Sequence, residues 1–244
     1  MNFDISRSVE VFNPEVVEEP IYIIGCGATG SHVAETLCRF GIKKMCLMDG
    51  DTVGPENLNN QSFMIQHIGL NKAEALKDLC ENINPEIQIE TVEKFVTPED
   101  IKEMSGYVFC LVDSMATRKE LFEAIKDNDK IKHYWESRLG SDQGRVYYLP
   151  ISKDFDYSTY ENAHFYSDDD AEVSACGTSI TIVSIVLMVT SLMINQFIKI
   201  AMDKKEEEPY LHNFTLFDNM FGVYTEDFEK KIKEVKEITD EIIM

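Results

Sequence analysis

The chain has 244 residues, of which 23 are Lys or Arg and 44 are Asp or Glu, which gives a formal net charge of −21. Because so acidic a surface repels phosphate backbones and anionic lipid, the composition argues against nucleic-acid binding and against binding to a membrane surface. A hydrophobic fraction of 44% is enough to build a substantial core. The fold class then follows from the order of the predicted elements.

Short apolar runs and helical periodicities alternate along the first half of the chain. We predict strands at 21–24, 45–48, 87–92 and 107–112, and helices at 31–40, 72–83 and 116–125. This alternation is typical of a parallel sheet that carries helices on both faces. We therefore predict an α/β fold with a doubly wound, Rossmann-like, mostly parallel sheet.

The second half begins with two further predicted strands, at 133–136 and 145–149. Residues 150–175 are polar, aromatic and acidic, which is typical of a functional loop or of partial disorder. The apolar segment 180–202 contains several polar side chains, which favour a buried core helix over a membrane span.

The end of the chain is predicted to form a strand and helix extension. It comprises a hairpin of residues 214–217 and 221–224 and an amphipathic helix at 228–244. Since no convincing linker interrupts the pattern, we predict a single domain over 1–244, with 150–176 as a mobile crossover loop.

Six cysteines are present, and none belongs to a CxxC pair. This usage predicts reduced, mostly buried thiols in a cytoplasmic protein, and no zinc site is expected. The first ten residues contain no apolar stretch behind a basic start, so we expect no signal peptide.

A glycine-rich loop lies between the first predicted strand and the first predicted helix. It fits the pattern Gly-x-Gly-x-x-Gly, in which glycines let the backbone approach a phosphate at a helix N-terminus. The predicted contacts are Gly25, Gly27, Ala28, Thr29 and Gly30. Asp49 ends the next strand, where a carboxylate binds a ribose hydroxyl. The site is predicted to bind a nucleotide, and the loop alone does not distinguish NAD from ATP.

Four further motifs follow this loop in order. They are Asp49-Gly-Asp51-Thr-Val53, Glu56-Asn57-Leu-Asn-Asn60-Gln61, Gly69-Leu-Asn-Lys72 and Asp113-Ser-Met-Ala-Thr-Arg118. With the glycine loop and Ser31, this order resembles the ThiF/MoeB family of adenylating enzymes, and it is closest in style to phage- and plasmid-encoded members. The resemblance is close over residues 20–125 and continues weakly at Ala175-Cys176-Gly177.

The resemblance implies an activity as well as a fold. Enzymes of this family use ATP and Mg²⁺ to adenylate the C-terminal glycine carboxylate of a ubiquitin-like or sulfur-carrier protein, releasing pyrophosphate. Because the family is usually dimeric, the resemblance also implies a homodimer.

The same resemblance assigns roles to individual residues. Asp49 and Asp51 would belong to the nucleotide site, with Asp49 on the ribose, and Lys72 would neutralise developing phosphate charge. Asp113 would hold magnesium at the end of a strand. The polar residues that would contact the phosphates or the ribose are Asn57, Asn60 and Gln61.

Each assignment has a structural alternative. Lys72 could be an ordinary first-turn helix residue, Asp113 could cap the helix that begins near Met115, and Asn57 and Gln61 could serve turns. For Arg118 we favour a structural role, in a salt bridge within its own helix.

Cys176 precedes the long apolar helix, where a thiol could have a lowered pKa. The resemblance implies a candidate thioester or persulfide link to the carrier protein at this cysteine. The loop from Asp154 to Ala175 would then be a lid, with Cys176 as its hinge. The alternative, which we favour, is a small buried residue that packs the start of the helix.

The main departure from the family pattern is Asn60, which replaces an arginine that contacts the ATP phosphates. Candidate sources of a substitute cation, in the same chain or in a partner subunit, are Arg7, Lys43, Lys44 and Arg118. This departure favours a second interpretation, in which the protein binds a nucleotide or a carrier without turnover. An NAD(P) oxidoreductase is the third, disfavoured because no dehydrogenase acid–base pair is evident.

Overall fold

The computed structural model describes residues 3–163, 165, 181–202, 214–218 and 222–226. The strands are β1 (Ile21–Ile24), β2 (Lys44–Met48), β3 (Gln88–Val92), β4 (Gly106–Cys110), β5 (Ile131–Leu139), β6 (Gln143–Pro150), β7 (Phe214–Asp218) and β8 (Gly222–Glu226). The helices are α1 (Ala28–Arg39), α2 (Lys72–Ile83), α3 (Pro98–Ile101), α4 (Met115–Lys126), α5 (Ser158–Ala163) and α6 (Val183–Ala201). Short 3-10 helices lie at Pro14–Val16, Pro55–Asn59 and Ile65–His67.

The strands form one sheet in the order β3-β2-β1-β4-β5-β6-β7-β8. Strands β1 to β5 run parallel, and β6, β7 and β8 are added in antiparallel pairs. The chain moves outward from β1 through β2 and β3 and then returns to the other side of β1 for β4. Ligands of open α/β sheets bind at such a reversal, outside the carboxyl ends of the strands.

Apolar side chains cover both faces of the sheet. Ile23 and Phe109 belong to the cluster beneath α1, α2 and α6, whereas the adjacent Ile24 and Val108 belong to the cluster on the other face. Alternate residues of buried parallel strands are expected to divide in this way. The predicted doubly wound α/β fold is therefore confirmed, as is the hairpin of β7 and β8, while the predicted helix at 228–244 lies outside the described residues.

Helix α6 packs one face into the core, as the predicted core helix requires, and exposes apolar residues on the other. Ile185, Val189 and Phe197 are buried at helical spacing, whereas Leu187 is 46% exposed and Met188 39%. Gly144 in β6 permits the close packing, because a Cβ there would lie 2.2 Å from Cγ2 of Val189.

The length and composition of α6 also match those of a membrane-spanning helix. In the described part of the chain it is the one helix long and apolar enough to cross a bilayer. This is weak support for a span, because core helices of soluble proteins meet the same criterion and α6 packs against α1, β5 and β6.

Two boundaries differ from the prediction in ways that affect the site. Helix α1 begins at Ala28, inside the glycine loop, instead of at Ser31. Strand β5 continues beyond Glu136 to Leu139, because it pairs with β6 as far as Leu139 and Gly144. The longer β5 carries Ser137 and Arg138 into the cavity described below.

Candidate nucleotide site

A cavity of about 590 Å³ opens at the carboxyl ends of the parallel strands. This volume is typical of small-molecule sites. The predicted site residues in its wall are Gly25, Gly27, Ala28, Thr29, Asp49, Asp51, Asn57, Asn60, Gln61, Lys72 and Asp113. Gly30 lies in α1 just behind the wall, and Cys176 lies outside the described residues.

The three glycines of the loop are needed for different reasons. Gly25 has a φ of +91°, and a Cβ on it would lie 2.7 Å from the Leu111 carbonyl oxygen. A Cβ on Gly30 would lie 1.9 Å from the Gly25 carbonyl oxygen. Gly27, in contrast, lines the cavity, and a Cβ there would have no heavy atom within 4 Å. Packing therefore explains Gly25 and Gly30, and open space for a ligand remains at Gly27.

The N-terminus of α1 faces this open space. Its N-cap is Gly27, so no side chain caps the first turn. Backbone N–H groups at a helix start, with the positive end of the helix dipole, bind anions without any cationic side chain. The geometry fits a phosphate group.

Asp49 is fixed at the end of β2 by two backbone donors. The Cys26 amide donates to Oδ2 at 2.7 Å, and the Asp51 amide donates to Oδ1 at 2.8 Å. Burial raises the pKa of Asp49 above its ordinary value, and these two donors and Lys72 partly offset that effect. A carboxylate held in this way beside the glycine loop is oriented to accept a hydrogen bond from a ribose hydroxyl.

Lys72 lies in the wall of the cavity, with its side chain 11% exposed. Its Nζ is 2.9 Å from Oδ2 of Asp51, and its amide donates to the Asp51 carbonyl oxygen at 2.9 Å. Asn71, the preceding residue, caps α2 by accepting from the Ala73 amide. Lys72 is therefore a first-turn residue of α2, but its ammonium group is held at the cavity wall by Asp51 and is mostly shielded from solvent.

The polar segment after β2 combines turn contacts with contacts at the cavity. Asn57 Oδ1 accepts from the Gly54 amide at 2.8 Å, as the turn interpretation predicts. Asn60 Nδ2 donates to Thr181 Oγ1 at 3.2 Å, which joins this segment to the start of α6. Gln61 lines the cavity, and its buried Oε1 has no hydrogen-bond partner among the described residues. A ligand that donates a hydrogen bond would satisfy this oxygen.

Asp113 is exposed at the cavity rim, two residues before α4. Ser114 caps α4, with its Oγ accepting from the Thr117 amide at 3.2 Å, so the alternative that Asp113 is the cap is wrong. The described residues contain no group of three or more metal-ligating side chains. Mg²⁺ at nucleotide sites commonly takes one or two carboxylates and completes its shell with phosphates and water. Asp113 fits such a shared ion.

The predicted salt bridge of Arg118 within its own helix is wrong. Arg118 is 4% exposed, and its side chain extends to the sheet, where Nε lies 3.4 Å from Oε2 of Glu136. The same guanidinium donates to the carbonyl oxygens of Val112 and Ser137. Arg118 therefore joins the ends of β4 and β5 and lines the cavity between them.

Within a single chain, the other proposed sources of a substitute cation do not reach the cavity. Arg7, Lys43 and Lys44 are absent from its lining, and Lys43 pairs with Glu15. The cations that line the cavity in the described part of the chain are Lys72, Lys94, Arg118 and Arg138.

Arg138 and Glu136 were not identified from the sequence. Glu136 is fully buried, and its Oε1 accepts from Nε of Arg138 at 2.8 Å. Its Oε2 accepts from the hydroxyls of Tyr134 at 2.9 Å and Tyr160 at 2.5 Å. The available signal was a pair of charged residues two positions apart, Glu136 and Arg138, directly after Tyr134 and Trp135.

Phe95 was also missed. It is 69% exposed, lines the cavity after β3, and its ring lies 2.9 Å from where a Cβ of Gly50 would be. The ring therefore lies beside Gly50, the residue that follows Asp49, and a flat base in the cavity could stack on it.

The sequence is similar to those of a known protein family over most of its length. The model of the ThiF family matches residues 14–236. The chain belongs to the ThiF family. The resemblance inferred from the motifs is thereby confirmed, and the match extends well beyond residues 20–125, to which the close resemblance was limited.

Two curated relatives of this ThiF-family chain illustrate its similarities. The tRNA threonylcarbamoyladenosine dehydratase of Escherichia coli K12 is 34% identical over 113 residues, which cover 44% of this chain and 42% of the relative. Ubiquitin-like modifier-activating enzyme 5 of Caenorhabditis elegans is 39% identical over 83 residues, which cover 34% of this chain and 20% of the relative. The chain thus spans less than half the length of either relative.

Solved structures of similar fold include two Escherichia coli proteins. MccB with MccA-N7isoASN superimposes with a TM-score of 0.73 at 18% identity, covering 88% of this chain and 65% of MccB. The dehydratase TcdA gives a TM-score of 0.63 at 19% identity, covering 84% of this chain and 96% of TcdA. At these identities the similarity establishes that the ThiF-family chain shares their fold.

Proposed function

We propose that this ThiF-family protein is an ATP-dependent adenylyltransferase that activates the C-terminal glycine carboxylate of a ubiquitin-like or sulfur-carrier protein. The observation that carries the proposal is the open space at Gly27, between the uncapped start of α1 and the fixed carboxylate of Asp49. A similar fold has been solved with ATP in MccB, and a relative is named as a ubiquitin-like modifier-activating enzyme, which supports this choice of substrates.

The roles of the residues follow from their positions. Asp49 accepts from a ribose hydroxyl, the α1 amides hold the α-phosphate at Gly27, and Gln61 Oε1 accepts from a donor on the ligand. Lys72, held by its ion pair with Asp51, contributes positive charge at the end of the cavity where Asp49 lies. These groups position the phosphate and reduce its charge, which are the main requirements of phosphoryl and nucleotidyl transfer.

The reaction needs no nucleophile from the protein. An oxygen of the carrier's carboxylate forms a bond to the α-phosphorus, while the bond from that phosphorus to the bridging oxygen breaks and pyrophosphate leaves with its electron pair. Asp113 would hold Mg²⁺ at the rim, where the ion would supply charge neutralisation.

ATP–pyrophosphate exchange tests the proposal. The purified chain is incubated with labelled pyrophosphate, ATP, Mg²⁺ and a candidate carrier, and a carrier lacking its terminal glycine serves as the control. We expect exchange that depends on the glycine. Binding of ATP with no exchange for any carrier would favour the non-catalytic alternative, and tighter binding of NAD than of ATP would favour the oxidoreductase.

A second candidate substrate is a carboxylate on a modified tRNA base, since a relative is named as a tRNA threonylcarbamoyladenosine dehydratase. The net charge of −21 opposes binding of a polyanionic RNA. Replacing the carrier by tRNA in the exchange assay distinguishes the two substrates.

We further propose that the protein is a homodimer in the cytoplasm. Sedimentation at micromolar concentration would detect the dimer, and fractionation of cells would test the location.

The role of Cys176 remains a prediction. A thiol-sensitive adduct with the carrier, present for the unmodified protein and absent for Cys176→Ser, would support a covalent role. Normal adenylation by both proteins without an adduct would support a packing role.

A further inference from the structure

Exposed apolar side chains concentrate in two stretches of this chain. In the part of the chain that the structure describes, eight large apolar side chains between 39% and 78% exposed fall within residues 64–70 and 182–188. They are Met64, Ile65, Ile68, Leu70, Ile182, Val183, Leu187 and Met188. Single exposed apolar residues are ordinary, whereas groups of them are typical of a surface that binds a partner.

The same two stretches lie in the parts of the sequence that contain no acidic residue. Asp and Glu make up 44 of the 244 residues, yet neither occurs in 57–73 or in 173–202, which are the two longest stretches without them. Because the net charge is −21, most of the surface repels another acidic molecule. A second copy of the chain carries the same charge, so the acid-free surface is where two copies can approach each other at the lowest electrostatic cost.

The first stretch belongs to a loop of residues 53–70 that the fold holds in place. The ends of the loop are joined, since the Val53 amide donates to the Leu70 carbonyl oxygen at 2.9 Å. Its middle is fixed by the buried His67, whose Nδ1 accepts from the Met64 amide at 3.1 Å. A loop that is already ordered loses little conformational entropy when its apolar side chains bind a partner.

Hydrogen bonds join the loop to the two helices beside it. Asn60 Nδ2 donates to Thr181 Oγ1 at 3.2 Å, directly before the exposed face of α6 begins. The Ser62 amide donates to Ser31 Oγ in α1 at 3.1 Å, and α1 packs against α6. The two apolar stretches therefore begin side by side, which lets one partner contact both.

We propose that the loop of residues 53–70 and the first two turns of α6 form the interface through which two copies of this chain associate. The inference deepens the proposed homodimer and rests on it. Fully burying a large apolar side chain removes about 100 Å² of apolar surface, so eight that are about half exposed offer on the order of 400 Å². This area fits the apolar part of an interface to which each partner contributes about 800 Å².

Sedimentation of the full chain over a range of micromolar concentrations tests the inference. We expect Ile65→Glu and Leu187→Glu each to raise the dissociation constant of the dimer by at least about ten-fold, because each buries an unpaired charge at the interface. Ile65→Ser is the second loop variant, which removes apolar area without adding charge. Val11→Glu is the matched control, because Val11 is 67% exposed and the adjacent Phe12 packs against Phe40 at the other end of α1.

The dependence of the dimer on salt gives a second measurement. Two copies that each carry −21 repel each other, so raising NaCl from about 10 mM to 150 mM should lower the dissociation constant of a dimer with an apolar interface. A dimer held together by exposed ion pairs would weaken under the same change. Weakening by salt would therefore overturn the inference.

The remaining outcomes separate the inference from the proposed function. A dimer that Ile65→Glu and Leu187→Glu leave intact would overturn the inference alone. A monomeric unmodified protein would overturn the homodimer as well, while ATP–pyrophosphate exchange still decides the proposed activity. In such a monomer, loss of carrier-dependent exchange in these two variants, with Val11→Glu unchanged, would assign the surface to the carrier protein. A fall in melting temperature confined to the same two variants would assign it to another segment of this chain.

Discussion

Gly27 and Gly30 differ in what an added methyl group would meet. In Gly27→Ala the Cβ enters the open cavity, so we expect a folded protein that binds ATP at least about ten-fold more weakly. In Gly30→Ala the Cβ meets the Gly25 carbonyl oxygen, so we expect a large drop in melting temperature. Thermal melts with and without ATP separate the two effects. A Gly27→Ala protein with unchanged ATP affinity would contradict the placement of phosphate there.

Asp113 and Lys72 are expected to act on the reaction in different ways. Asp113 is exposed, so Asp113→Asn should leave the melting temperature unchanged while abolishing exchange at ordinary magnesium concentrations. Lys72→Ala should also abolish exchange, but it leaves Asp51 without its ion pair and should lower the free energy of unfolding by about 1 kcal/mol. Measuring exchange and chemical denaturation on both variants checks this. Full exchange activity in either variant would disprove the role assigned to that residue.

The sequence identified the cavity-lining residues whose positions depend on local spacing. Gly27, Asp49 and Lys72 each belong to a motif that fixes their position relative to a strand end or a helix start. Arg138 was missed because its position depends on pairing between β5 and β6. This pairing extends β5 beyond its predicted end at Glu136, so that the strand includes Arg138. The partner of Arg118 was mispredicted for a similar reason, since Glu136 is distant in sequence and is brought close by the sheet.

At the scale of elements, the segment after β2 is attached to two helices. Asn60 donates to Thr181 before α6, and Ser62 contacts Ser31 and His32 in α1. The hydrogen bond of Asn60 to Thr181 is the observation that favours the hypothesis of a site rebuilt around asparagine. The strands and the helices α1, α2, α4 and α6 were predicted because each has an apolar run or a helical periodicity of its own, whereas the short helices α3 and α5 were not predicted. The one-sided burial of α6 depends on which neighbours cover it.

Asn60→Arg tests whether the site has been rebuilt. The larger cation would break the contact with Thr181 and enter a cavity that Lys72, Arg118 and Arg138 already line. We expect the variant to fold and its exchange rate at saturating ATP to be equal to or lower than that of the unmodified protein. Thr181→Ala is the control that breaks the same contact without adding charge. A clear rise in rate for Asn60→Arg would instead indicate that Asn60 marks a loss of activity.

His32 makes the attachment of this segment to α1 sensitive to pH. Its Nδ1 lies 2.8 Å from Ser62 Oγ, and burial lowers its pKa below 6.5, with Glu35 only partly offsetting this. The unfolded chain therefore binds a proton more readily, so stability should fall as the pH drops through about 6.5. Between pH 7.5 and 5.5, about one unit on either side of 6.5, we expect the melting temperature of His32→Gln to fall less than that of the unmodified protein. Parallel pH profiles would show that His32 makes no contribution.

For the whole molecule, the net charge of −21 opposes compaction. Raising NaCl from about 10 mM to 150 mM shortens the screening length to about 8 Å and should raise the melting temperature. Salt also weakens exposed ion pairs such as Lys102 with Glu99, but each contributes only about 0–1 kcal/mol. Thermal melts across this range check the balance, with sucrose as an uncharged control. A fall in melting temperature would show that the ion pairs outweigh the repulsion.

The hydrogen bond from Tyr160 to Glu136 connects α5 to the buried pair of Glu136 and Arg138. A partner that displaces α5 must break this bond, and in doing so it changes the environment of the carboxylate that orients Arg138. Nucleotide affinity and partner affinity then share one coupling free energy, and linkage requires the effect to be reciprocal. If the partner changes the affinity for ATP by some factor, ATP changes the affinity for the partner by the same factor. An α5 that is free to move would therefore make the binding of the two substrates cooperative or antagonistic.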